Sequence, residues 1–234
     1  MMEIFWRLLL SHFIADFTLQ TNWINRIKRE KTIGILVHVL IHLLTTYSLL
    51  YPYLSKTWFN RIFNGYLIIF IICLLHFAVD QIRVYIIKKE VYPDNTLNFL
   101  VDQFFHLYFV FIFSPFTNVP TDFSGERIVM ILLFLAIVSH TTTVFIYYIE
   151  KDLTNASFPS FDQKYLMIFE RIVLFGVFMI EGRIWYIVAV LWIAQLYYIK
   201  RKKITDISWI NFVISIIMSF VCGLLSRYYY YGGI

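Results

Sequence analysis

Long apolar runs alternate with short polar breaks along this chain. Eight of the runs read as helices that cross a bilayer: roughly 4–21, 33–54, 64–86, 96–114, 127–149, 165–181, 183–200 and 207–226. A helix needs about 20 mostly apolar residues to span hydrocarbon, and runs of about 17 to 24 meet that need. The pattern predicts an all-α, polytopic transmembrane bundle. Its polar interruptions repeat. A hairpin opens with LLSHFIAD at 9–16 and closes with LVHVLIHL at 36–43, and sixty-four positions later CLLHFAVD at 73–80 and LVDQFFHL at 100–107 take the same places. The offset pairs His12 with His76, Asp16 with Asp80, His38 with Asp102 and His42 with His106. Leu10/Leu74, Phe13/Phe77 and Val37/Val101 keep the same register. One unbroken register marks an internal duplication. It predicts a duplicated four-helix half over 1–113 (repeats about 9–43 and 73–107) and a second half over 114–234, with the polar stretch from Glu150 to Asp162 as a seam.

Charge sets the orientation. Arg26, Lys28, Arg29, Lys31, Arg83, Lys88, Lys89, Lys151, Lys164 and the run from Lys200 to Lys203 fall on the odd connections. The even connections and the termini hold Arg7, Lys56, Arg61, Arg127, Arg183 and Arg227. The positive-inside rule then predicts cytoplasmic odd connections and extracytoplasmic termini. The first run carries His12 and Asp16 and lacks a signal peptide's basic n-region and small-residue cleavage site, so it is read as mature chain.

Composition agrees with a bilayer as the partner. Hydrophobic residues make up 60% and charged residues 15%, and the mean hydropathy is +0.70. The net charge of +5 lies in a few connections, which suits orientation and attraction to lipid headgroups rather than nucleic-acid binding. Cys73 and Cys222 both fall in apolar runs, which leaves no disulfide framework and no cysteine-based zinc or iron–sulfur site.

The candidate chemistry sits in the repeat. Members of each His/Asp pair are four residues apart, so they share a helix face one turn apart. With the predicted topology all eight lie in one layer, roughly 5 to 18 Å from the cytoplasmic helix ends at 1.5 Å per residue. A charge at mid-bilayer costs about 2.5–3.5 kcal/mol on the lenient scale, and a metal cation would neutralise the aspartates while using neutral imidazoles as ligands. The expected ligand set is therefore His12, Asp16, His38, His42, His76, Asp80, Asp102 and His106. This mixed nitrogen and oxygen set suits a divalent ion, zinc foremost, with manganese or iron as alternatives. Eight donors exceed the need of one tetrahedral ion and would suit two. In the sixth run Glu170 is the candidate general acid or base and Arg171 the candidate clamp on an anionic headgroup. Gln20, Gln81 and Gln103 flank the motifs as candidate supporting donors. Against these stands the plain reading of intramembrane polar residues as helix–helix hydrogen-bond partners, which His140 fits best.

Taken together, LLSHFIADFTLQ at 9–20, His38-x3-His42, His76-x3-Asp80, Asp102-x3-His106 and Glu170-Arg171 resemble the bacterial membrane-protein family known as domain of unknown function 3307. The likeness covers roughly 5–113. It implies a bacterial integral membrane protein and carries no activity with it. The residues themselves support three function classes: a metal-dependent hydrolase or transferase acting on a lipid-borne ester or phosphoester at the cytoplasmic leaflet; a non-catalytic membrane protein with a structural polar core; and, ranked last, an ion or metal transporter. The last needs a polar route through the outer halves, which are nearly all apolar.

Overall fold

A computed structural model describes residues 3–59, 63–115, 123–203 and 207–232. Among the described residues the fold is all-α apart from one short hairpin, Thr57–Phe59 paired antiparallel with Phe63–Asn64. The described residues form these α-helices in order: α1 (Glu3–Phe13), α2 (Asn22–Glu30), α3 (Thr32–Leu50), α4 (Gly65–Lys88), α5 (Thr96–Ile112), α6 (Phe123–Ala136), α7 (Thr142–Thr154), α8 (Phe161–Val177), α9 (Ile184–Arg201) and α10 (Trp209–Tyr231). A π-helical turn at Ile14–Thr18 extends α1, and another at Ile137–Thr141 joins α6 to α7.

Short polar residues start the helices. Thr21, Asn64, Asn95, Ser160 and Ser208 each accept a backbone N–H from the first turn of α2, α4, α5, α8 and α10, which satisfies donors that no helix can pair internally. Asn155, at φ 53°, ends α7 in the left-handed conformation that asparagine tolerates.

Each expected apolar run is helical. Among the described residues, four helical stretches are long and apolar enough to cross a membrane: Thr32–Tyr53, Gly65–Lys88, Gly125–Thr154 and Trp209–Tyr231. The 17 residues of α5 reach only about 25 Å at 1.5 Å per residue, short of the ~30 Å hydrocarbon core. The faces are inverted relative to a water-soluble protein. His76 and Asp80 are buried in α4 while Leu67, Phe70, Leu74 and Ile82 are exposed, and α5 hides Asp102 and His106 while exposing Phe104, Tyr108 and Phe111. Apolar outside and polar inside is compatible with a lipid surround.

Two compact units divide the chain, Met1–Val129 and Met130–Ile234. The division falls within α6, beyond the boundary expected at residue 113. In the first unit α1 packs on α3 and α5, and α4 packs on the same two helices, so the four close a ring. Leu8, Leu50, Ile69, Cys73 and Val110 fill one end of it. The amphipathic helix α2 lies against α3 with Ile24 and Lys28 buried. Gly34 makes that approach possible, because a Cβ there would collide with the backbone of Ile27 and Lys28. This helix corrects the expectation of a simple basic loop. In the second unit α8 packs on α10, and Gly223 leaves room for the buried ring of Phe178.

Candidate metal centre

The ring of α1, α3, α4 and α5 turns one face of each helix inward, and those faces carry the eight repeat residues. All eight are buried; His38 and Asp80 have no exposed surface at all. The imidazoles crowd together. Ring centroids lie 3.8 Å apart for His76 and His106 and 3.9 Å for His42 and His76, and His12 stands 5.6–5.7 Å from His42, His76 and His106. Equivalent pairs keep equivalent distances. His42 Nε2 is 3.6 Å from Asp16 Oδ1 and His106 Nε2 is 3.7 Å from Asp80 Oδ1; His12–Asp16 and His76–Asp80 are 3.8 and 3.5 Å. The duplication is thus visible in the geometry of the layer. The local helix differs, because Asp16 sits in a π turn (Leu19 N–H to Ile14 O, 2.8 Å) where Asp80 sits in regular α-helix.

Two groups within the layer have donor atoms close enough to hold an ion: Asp16, His38, His42 and His76, and then His76, Asp80 and His106. In the first, Asp16 Oδ1 is 3.0 Å from His38 Nε2, 3.6 Å from His42 Nε2 and 3.9 Å from His76 Nε2, and the His38 and His76 Nε2 atoms are 3.3 Å apart. A tetrahedral zinc with bonds of about 2.0–2.1 Å has ligand–ligand edges of about 3.3 Å, so these separations bracket the required size. Protons explain the arrangement poorly. Three Nε2 atoms face one carboxylate oxygen, and His42 Nε2 is buried without a hydrogen bond. Nε2 lone pairs converging there repel each other, and a cation that accepts them relieves that repulsion.

His12 and Asp102 stand outside both groups. The Gln103 amide nitrogen donates to Asp16 Oδ2 (2.8 Å) and Asp102 Oδ2 (3.3 Å), so its oxygen must face His12 Nε2, 3.1 Å away. That oxygen accepts only from a protonated Nε2, which gives His12 a supporting place rather than a free ligand atom. Asp102 Oδ2 accepts from Arg83 Nη1 at 2.9 Å. A small cavity opens on the histidine side of the layer, lined by Ser11, His42, Thr46, Cys73, His76 and His106 among others.

The family model described as "Protein of unknown function (DUF3307)" matches residues 4–133, more than half of the chain. The chain belongs to this family. No curated protein and no solved structure matches it. The DUF3307 stretch contains all eight residues of the layer and ends inside α6, before Glu170 and Arg171.

Those two residues belong to the second unit. Arg171 is buried and donates through Nε to Val138 O (2.8 Å), through Nη1 to Ser215 Oγ (3.2 Å), and through Nη2 to Ser139 O (2.9 Å) and Thr143 Oγ1. Val138 and Ser139 lie in the π turn at Ile137–Thr141, so Arg171 fastens α8 to that turn. Glu170 is half-buried beside it, in a pocket with Lys200, Asn211 and Ser215. His140 lies in the same turn, 3.3 Å from Ser139 Oγ through Nδ1.

Within the DUF3307 stretch, residues assigned only to orientation turn out to be partners of the layer. Lys28 Nζ is 2.8 Å from Asp80 Oδ1. Arg83 bridges Asp102 and Asp94, and Arg29 also pairs with Asp94 at 2.9 Å. Two of the three aspartates therefore have their own cations. Lys28 and Arg83 thus supply part of the compensation that a metal was expected to supply. Among the described residues Asp16 has no Lys or Arg ion pair, so the need is concentrated there. A signal for Lys28 was present in its spacing: Ile24 and Lys28 are i,i+4 and share the face that α2 buries.

Proposed function

We propose that this DUF3307 protein is a membrane-embedded metal protein whose first unit holds a divalent ion, zinc foremost, at Asp16, His38, His42 and His76. The observation that carries the reading is the convergence of three Nε2 atoms on Asp16 Oδ1 at 3.0–3.9 Å inside a buried layer. We further propose that the ion serves hydrolysis or group transfer on a lipid-borne ester or phosphoester near the cytoplasmic leaflet. A bound ion of this kind polarises an ester or phosphoryl oxygen and lowers the pKa of a bound water. The cavity beside His42, His76 and His106 would give that water its place. Eight spans, both termini outside and a pseudo-twofold about the membrane normal complete the proposal, supported by the basic odd connections and the closed ring of α1, α3, α4 and α5. Arg171 receives no step, because its donors are engaged within its own unit.

A second reading has specific support. Four protein donors close a tetrahedral ion, which is the habit of structural zinc sites, and the Lys28–Asp80 and Arg83–Asp102 pairs neutralise part of the layer without a metal. In that reading the layer is a structural core. Transport is disfavoured by the cavity's apolar end, formed by Leu8, Ile69, Ile72 and Val110. The experiment that separates the first two reconstitutes the zinc-loaded protein in vesicles of phosphatidylethanolamine and phosphatidylglycerol. Release of fatty acid or phosphate by the wild type and not by Asp16→Asn supports the enzyme. Stable bound zinc without any product supports the structural core.

A further inference from the structure

The duplication wrote one carboxylate–imidazole pair twice, Asp16 with His42 and Asp80 with His106, and His76 lies within reach of both, yet the two are filled differently. Around Asp80, His76 Nε2 stands 3.5 Å from Oδ2 and His106 Nε2 stands 3.7 Å from Oδ1, the same spacing as the ligand edges around Asp16. Neither ring nitrogen of His106 has a hydrogen bond, and neither does either carboxylate oxygen of Asp80, whose Oδ1 has ion pairs only. The donor set is therefore competent for a metal. It is occupied from within, because Lys28 places its ammonium 2.8 Å from Asp80 Oδ1.

We propose that Lys28 is a built-in substitute for a second metal ion, and that it holds the His76–Asp80–His106 position closed so that the centre takes one ion rather than two. This rests on the metal-centre reading above. The helix that carries Lys28 is fixed in place for the purpose. Gly34 lets its backbone touch α3, Lys88 Nζ donates to Glu30 O at 2.8 Å, and Arg29 pairs with Asp94. The repeat offers no counterpart on the other side: sixty-four positions beyond Lys28 stands Tyr92, which is exposed. A second divalent ion beside an ammonium would meet like charge at contact distance, which disfavours it strongly in a buried site. Removing the ammonium while keeping the stem leaves Asp80, His76 and His106 facing each other without a cation; His76 Nε2, which can serve only one ion, then goes to the second and leaves Asp16, His38 and His42 to hold the first.

The test is metal stoichiometry on the full chain, purified in detergent, loaded with zinc and freed of excess. The wild type is expected to hold one zinc per chain, and Lys28→Met two. Asp80→Asn added to Lys28→Met is expected to return the count to one. Lys28→Gln is read in the same way and covers the case in which the methionine variant does not elute as a folded species. One zinc in the wild type and one in both neutral variants overturns the inference while leaving the Asp16 centre standing. Two in the wild type also overturns it. None in the wild type defeats the metal-centre reading itself, and this inference with it.

Discussion

Nε2 of His38 stands 3.0 Å from Oδ1 of Asp16, on a helix twenty-two residues further along the chain. That contact joins the two arms of the first repeat, and His76 Nε2, 3.3 Å from His38 Nε2, joins it to the second. Loss of any member of the group should therefore be felt as lost metal before it is felt as lost fold. His42→Ala and Asp16→Asn are expected to lower zinc affinity more than the 10–100-fold typical of outer-shell changes. Elution volume in detergent should stay at the wild-type position. Equilibrium dialysis checks the affinity and gel filtration the fold. Loss of fold with zinc affinity unchanged in the surviving protein would favour the structural core.

Gln103 orients this group without belonging to it. Its amide nitrogen holds Asp16 Oδ2 and its oxygen holds His12. Gln103→Leu is expected to weaken zinc binding by about 10–100-fold. Gln103→Glu should weaken it for a different reason, by setting a carboxylate against Asp16 and Asp102. Competitive chelator titrations measure both.

Arg83 answers for Asp102. Arg83→Met leaves that carboxylate buried with its main cation gone, at an expected cost of about 3 kcal/mol. Adding Asp102→Asn removes the stranded charge and should recover most of the loss. Thermal unfolding in detergent of the two single variants and the double variant closes the cycle. No recovery would mean that Arg83 acts through packing alone.

Gly34 sets how closely α2 approaches α3. Gly34→Ala puts a methyl group into the backbone of Ile27 and Lys28, and the overpacking is expected to cost about 1–3 kcal/mol. The unfolding midpoint reads the cost. An unchanged midpoint would show that α2 does not dock as described.

Much of the layer could be read from the chain because two independent periods coincide there. The four-residue spacing within each His/Asp pair fixes a shared helix face, and the sixty-four-residue offset fixes which faces correspond. Neither depends on tertiary detail. Lys28 and Arg83 escaped that logic. Basic residues near the ends of apolar runs ordinarily serve orientation, and only the fold of α2 onto α3 turns Lys28 inward. The π turns were equally invisible, since a bond such as Leu19 N–H to Ile14 O reflects packing against neighbouring helices rather than any residue preference. Arg171 shows the same limit. Its partners are backbone carbonyls of Val138 and Ser139, which carry no mark in a side-chain pattern.

Bound zinc should also raise stability by mass action. At free zinc one hundred times its dissociation constant the gain is about 2.7 kcal/mol, so chelation should lower the unfolding midpoint of the wild type and leave Asp16→Asn unmoved.

Zinc-edge X-ray absorption on the purified, zinc-loaded protein examines the coordination itself. Three imidazole nitrogens and one carboxylate oxygen at about 2.0–2.1 Å, with the outer-shell scattering of the imidazole rings, are the expected result, joined by one water oxygen if the ion is hydrolytic. Zinc surrounded by water oxygens alone, or a folded protein that keeps no zinc after loading, would contradict a metal centre at Asp16, His38, His42 and His76.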